Sequence, residues 1–347
     1  MQRSSVAFAI GTGVAAIAAG WAFGNVLPDG DSTRAIRTAT HHSALTEVSD
    51  PLAALGTGRA GRAGTAYFAA ALSGDQEVPV PGGPATGDRG GRAVALLRVH
   101  GDQVSYAFFF RGIGAPTMGH LHQGVRGQNG PVRIPFFLTR LPDGRTSATG
   151  TVRVTDGRLL TDLIANPGHS YVNLHTARFP GGAIRGQVHR LSRPADLSGA
   201  PGGFQTSVVD GRQLYACTRQ PDGTFAFKRN GVRATLDGGI GHFFDRPGGA
   251  PRWQAADGSE ITGVLLAKLP HGERDVPELD LAARQSGART GVLARTGEVL
   301  RLNTRGGKAP SGPCDPWRQP RLAVPYRADY LFVNSLPAAN RPLSASR

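Results

Sequence analysis

The residues best suited to chemistry are four histidines. His120 and His122 flank Leu121, and on a β-strand residues i and i+2 point the same way. Two imidazoles on one face form half of a chelate for copper or zinc, both of which accept imidazole nitrogen. His175 completes the chelate if its strand lies alongside, and His189 offers an optional further nitrogen. Tyr171, Asn173 and His175 share one face of a strand, with Val172 and Leu174 on the other. In the return strand Arg185, Gln187 and His189 share a face, with Ile184 and Val188 opposite. Both apolar faces must meet one core, so odd-numbered residues lie together and His175 sits opposite or diagonal to His189. Carboxylates are sparse nearby, which argues against an oxygen-rich calcium site. The same imidazoles also suit structural hydrogen bonds within a sheet.

Other residue sets are weaker. His242, Asp257 and Ser259 have the types of a hydrolytic triad. No G-x-S-x-G elbow accompanies them, and Asp257-Gly258-Ser259 reads better as a turn bonding its own backbone. Trp253, Tyr326, Tyr330 and Trp317 either line a carbohydrate groove or fill a small β core. The only cysteines are Cys217 and Cys314. In an exported chain such a pair suggests a disulfide, with two separate buried thiols as the alternative.

The elements that position these groups are short strands joined by turns. With 49 Gly and 25 Pro in 347 residues, and no sustained 3.6-residue apolar period, the chain suits an all-β fold. Strands are predicted at 67–72, 93–99, 104–110, 132–138 and 148–154. Asp156 can cap one helix over 158–165, and strands at 171–175 and 184–189 follow. This pattern predicts an N-terminal β-sandwich, immunoglobulin-like or superoxide-dismutase-like, over 66–191. A linker over 192–204 leads to a second β-rich domain over 205–335. Its strands are expected at 213–218, 225–228, 242–244, 252–254 and 259–263, and a disordered tail over 336–347 ends the chain.

Residues 1–24 have the layout of a secretory signal: one arginine, then an uncharged run from Val6 to Gly24. Cleavage after Ala22 is favoured over an uncleaved membrane anchor. Gly11 to Ala16 fits a dinucleotide-binding fingerprint by chance, since no strand precedes it. Residues 25–65, with paired His41-His42, read as a flexible spacer. The net charge is +14, and only Lys228, Lys268 and Lys308 are lysines. Arginine-rich codon usage explains this balance; so does binding to an anionic cell-surface polymer. No aromatic-basic signature points to nucleic acid.

Ser73-Gly74-Asp75-Gln76-Glu77-Val78-Pro79, Gly119-His120-Leu121-His122 and Gly127-Gln128-Asn129-Gly130-Pro131-Val132 occur in that order. Tyr171-Val172-Asn173-Leu174-His175-Thr176 and Pro180-Gly181-Gly182-Ala183-Ile184-Arg185-Gly186-Gln187 follow. Together they resemble the CHRD domain, named after chordin. The resemblance implies a secreted β-rich module with no established catalysis. It places the family's motifs on His120, His122, Asn173, His175 and Thr176, similar to the copper strand of copper-zinc superoxide dismutases by fold-level analogy. Gln123 stands where the family usually has glycine, and no zinc-site Asp with a bridging His is evident.

The second half resembles domain-of-unknown-function family 3455. The carriers include Tyr215-Ala216-Cys217, Gly241-His242-Phe243, Trp253 with Asp257-Gly258-Ser259, Asn303 to Gly307 with Cys314, and Val324 to Tyr330. The segment Asp275 to Leu281 is more acidic than that family's pattern. The expected function is an exported, noncatalytic binding or structural module contacting a cell-surface polymer or extracellular protein. The alternatives are a copper or zinc protein and a hydrolase in the second half.

Overall fold

The computed structural model describes residues 64–198 and 201–336. The signal over 1–24, the His41-His42 pair, nearly all of the spacer and the tail beyond 336 lie outside the described residues.

Short apolar strands build the first sheet, and β1 and β2 bury residues on both of their faces. Its strands are β1 (Ala66–Ser73), β2 (Arg92–His100), β3 (Gln103–Arg111), β4 (Pro116–Gln123) and β5 (Val132–Phe137). Then come β6 (Ser147–Arg153), helix α1 (Gly157–Ala165), β7 (Ser170–Thr176), β8 (Ile184–Gln187) and β9 (His189–Arg190). The spatial order is β5-β4-β7-β8-β1-β2-β3-β6, with β9 beside β1 and antiparallel pairing throughout. Asp156 caps α1 as expected, accepting from the backbone N–H of Arg158 and Leu159. Leu159, Leu160 and Leu163 of the helix join the core formed by Phe68, Leu97, Phe108, Leu121, Val172 and Ile184.

The all-β class is as expected. The arrangement of strands differs from two separate sheets: the ladder runs unbroken from β5 to β6, and the sheet curls until those edge strands approach. Twisted sheets of this many strands close on themselves. Sandwich and barrel-like sheet both bury one face of every strand, so alternation alone does not separate them.

The second sheet is a closed antiparallel barrel. Its strands are β10 (Gly203–Arg219), β11 (Phe225–Leu236), β12 (Ile240–Phe244) and β13 (Pro251–Gln254). They continue with β14 (Glu260–Leu269), β15 (Glu278–Gln285), β16 (Thr296–Gly306) and β17 (Arg321–Asn334). Each strand pairs with its sequence neighbour and β17 pairs back onto β10, which leaves no free edge. Cys217 and Cys314 form a disulfide, 97 residues apart. The expected short strands are thus parts of longer ones.

The segment between the sheets is packed. Leu191 and Ala195 are buried with Ala69, Leu96, Leu300 and Leu331 in a cluster drawn from both sheets. Asp196 accepts from the backbone N–H of Ser198 and pairs with Arg295 at 2.5 Å.

Candidate metal centre

The β4–β7 ladder brings the histidines together. It sets His120 opposite Asn173, His122 opposite Tyr171 and Met118 opposite His175. Leu121, Val172 and Leu174 point into the core, so the histidines occupy the outer face. There the 123–131 loop and the Phe179–Gly182 turn shelter them, and all three are largely buried.

His120 Nδ1 lies 3.3 Å from His175 Nε2. His175 Nδ1 donates to the Pro180 carbonyl at 2.9 Å, and His122 Nδ1 donates to the Gly130 carbonyl at 3.0 Å. A carbonyl only accepts, so both Nδ1 atoms carry the proton and both Nε2 atoms keep a lone pair. His122 Nε2 is buried without a hydrogen-bond partner. One nitrogen from each of His120, His122 and His175 lies within 4.8 Å of the other two.

This donor set fits a copper or zinc ion. A backbone acceptor on the far ring nitrogen is the usual way a ligating imidazole is oriented. Metal–nitrogen bonds of about 2.0–2.1 Å put two tetrahedral ligands about 3.3–3.4 Å apart. The His120–His175 pair already has that spacing; the third nitrogen needs to close by at most about 1.5 Å. Burial pushes the His120 imidazole down to about 4, with His175 and His122 adding to the effect. Burial likewise lowers His122 and His175, against the raising effect of their carbonyl acceptors. The rings are therefore neutral at pH 7, the form that binds metal.

A second layer holds these rings. Tyr171 stacks on His122, centroids 4.7 Å apart at 9°. The Arg185 guanidinium lies 3.4 Å from the Tyr171 centroid. Arg185 is buried and donates to Asn129 Oδ1 and to the carbonyls of Val125 and Gln128. It thereby clamps the loop that carries Gly130. A Cβ on Gly130 would fall 1.6 Å from the Gln123 carbonyl oxygen, so this approach requires glycine. Thr176 Oγ1 accepts from the Phe179 N–H at 3.2 Å and shapes the turn presenting Pro180. Asn173 Nδ2 donates to Glu77 Oε2 at 3.3 Å. Burial raises the Glu77 carboxyl to about 8, opposed by Arg185 and by the Asn173 bond.

A CHRD-domain family model matches residues 68–188, which span every residue of this centre. Residues 68–188 are a CHRD domain. A second family, described as a protein of unknown function (DUF3455), matches residues 237–334. No curated protein and no solved structure matches the chain.

Within the CHRD domain His189 stands apart from the three-histidine group. The chain breaks its ladder at Val188, whose N–H donates to the Ser170 carbonyl, and β9 pairs with β1, placing His189 opposite Ala69. It keeps the outer face expected of it, but its charged neighbours are Glu278 and Arg126. The Gly130 and Pro180 carbonyls were not legible as site groups, because a backbone acceptor leaves no residue-type signal. Tyr171, Arg185 and Glu77 did lie inside the family motifs.

The DUF3455 half does not assemble a triad. Ser259 Oγ donates to Asp257 Oδ1 at 2.6 Å and accepts from the Leu293 N–H at 3.1 Å. Asp257 also accepts from the N–H of Ser259 and Val292. His242 Nδ1 donates to the Arg252 carbonyl. Among the described residues no hydrogen bond joins His242 to Asp257 or Ser259. Trp253, Tyr326 and Tyr330 are buried, whereas Trp317 is 91% exposed; the four do not form one stacking groove.

Proposed function

We propose that the protein is an exported binding module whose CHRD domain holds a copper or zinc ion on His120, His122 and His175. The observation that carries this reading is the convergence of three neutral ring nitrogens within 4.8 Å. Two of their rings are fixed by backbone carbonyls. A bound ion would supply a Lewis-acid centre there. His122 Nε2, otherwise a buried nitrogen without a partner, would gain one. The metal reading draws more support from the geometry than a purely structural role does, because packing alone leaves that atom unsatisfied.

Export is supported by the 1–24 layout and by the Cys217–Cys314 disulfide, a bond that persists in oxidising compartments. The superoxide-dismutase-like grouping of the fold draws support from the β3–β4 and β6–β7 crossovers, a Greek-key path, and from the histidine strand. The basic balance of +14 favours an anionic cell-surface polymer as the partner of the whole chain.

Metal analysis of the full chain, purified without chelator and then offered copper or zinc, tests the centre. The expected result is one ion per chain, lost in the His120→Ala/His122→Ala variant. Absence of stoichiometric metal, or equal loading of the variant, sinks the proposal. A low-salt glycan and polymer array tests the partner, and no retained anionic polymer would remove that part.

A further inference from the structure

The DUF3455 barrel is filled at one end and hollow at the other. Leu236, Ile240, Ile261, Leu293 and Phe332 close the end bearing the 237–239, 255–259 and 286–295 connections. Towards the opposite end lies a cavity of about 550 Å³, within the roughly 300–1,000 Å³ of small-molecule sites. Its apolar wall includes Trp253, Tyr330 and Phe244, and its charged wall includes Arg229, Arg301, Lys268 and Lys308.

The charges in this cavity do not balance. None of those four cations forms an ion pair among the described residues. Arg301 is 4% exposed, and its Nε and Nη2 donate only to the Pro277 carbonyl. The Arg229 guanidinium lies 5.3 Å from the Phe244 ring centroid. The one carboxylate on the wall, Asp275, already accepts from the Gly306 N–H and faces His271 at 3.3 Å. Two further buried donors on the wall, Gln213 Nε2 and Trp253 Nε1, have no partner. Of the four cations, Arg301 is buried, while Arg229, Lys268 and Lys308 are exposed. A buried cation and buried donors without partners are costly, and an acidic ligand would satisfy both.

We propose that this barrel binds a small organic anion, its acidic head on Arg229 and Arg301 and its apolar body against Trp253, Phe244 and Tyr330. The aromatic wall disfavours a bare inorganic anion, and the cations disfavour an amine. Closure of the barrel makes the strands rigid carriers for these groups.

The probe is 8-anilinonaphthalene-1-sulfonate, titrated against the full chain and followed by fluorescence. One site per chain is expected, displaced by decanoate and not by decyltrimethylammonium, which has a similar tail and the opposite charge. Arg229→Gln and Arg301→Gln should each weaken binding at least about tenfold, as loss of a charged hydrogen-bond donor does. Leu265 lines the cavity and is 55% exposed. Leu265→Trp therefore narrows it without disturbing the core and should weaken the probe similarly, which keeps the test decisive if an arginine variant does not fold. The His120→Ala/His122→Ala variant should bind the probe like the parent. No saturable site, displacement by both amphiphiles alike, or a Leu265→Trp affinity equal to the parent's overturns the proposal.

Discussion

Replacing His122 with alanine separates metal binding from folding. Without metal the variant loses the His122 Nδ1 bond to the Gly130 carbonyl and the stack on Tyr171. It also loses a buried nitrogen that had no partner, and Tyr171 Oη still donates to the Gly130 carbonyl at 3.4 Å. The net cost should be small, about 1–2 kcal/mol. The metal-dependent part is larger. Free zinc at 100 times the parent's Kd adds about 2.7 kcal/mol to stability. At about 2–4 °C per kcal/mol for a protein near this size, Tm rises by about 5–10 °C. Outer partners of a metal ligand cost 10–100-fold in affinity, so loss of a ligand itself should reach at least about 100-fold. The variant then sits at its own Kd, where zinc adds only about 0.4 kcal/mol, or about 1–2 °C. Thermal melts of the parent, His122→Ala and His189→Ala, each with and without zinc in chelator-free buffer, measure the difference. His189→Ala should keep the full zinc shift. An undiminished shift in His122→Ala, or none in the parent, refutes the geometric reasoning.

Gly130→Ala should weaken metal about 10–100-fold through the displaced carbonyl, measured by competition with a chromophoric chelator. The Cys217→Ser/Cys314→Ser variant should lose up to about 4–5 kcal/mol in a urea titration, since the bond closes a long loop. For pH, burial raises Glu77 from 4.5 to about 8 in the folded chain. Burial and the neighbouring Asp280 raise Glu298 in the same sense. Both favour the protonated folded state, so their contribution is full below about pH 4.5 and declines as pH rises. Burial lowers His242 to about 3, which works oppositely: its contribution is present above about 6.5 and lost as pH falls. The carboxyl effect should therefore stand alone between pH 6.5 and 8, at up to about 1.4 kcal/mol per pH unit for each proton. Urea midpoints across that range should fall less steeply in Glu77→Gln than in the parent; equal slopes would contradict the assignment.

Much of the CHRD half was legible because its strands are short, apolar and bounded by turn residues, although β1 and β2 bury residues on both faces. The pairing of Asn173 with Arg185 and Tyr171 with Gln187 keeps odd residues on one face, as the two apolar faces required. The second half was less legible. β10 spans 17 residues with register shifts between Val208 and Asp210 and between Leu214 and Tyr215, and such bulges break the period that marks a strand. The acidic segment at 275–281, which departed from the family pattern, has a structural use. Glu278 accepts from the Asn303 N–H and pairs with Arg126 of the CHRD half at 2.9 Å, a partner distant in sequence and invisible to any local reading.

Residue type and spacing by themselves determined the all-β class, the cysteine pair as a bridge candidate, and the shared face of His120 and His122. A β-strand's two-residue period makes that face a local property. Only the tertiary structure decided that His175 joins them and His189 does not. Strand neighbours are set by sheet closure, and one break at Val188 transfers β9 to β1. Likewise, no sequence pattern shows that a barrel is filled at one end and hollow at the other. That depends on which inward residues meet at the same height around eight strands, a consequence of register and closure together.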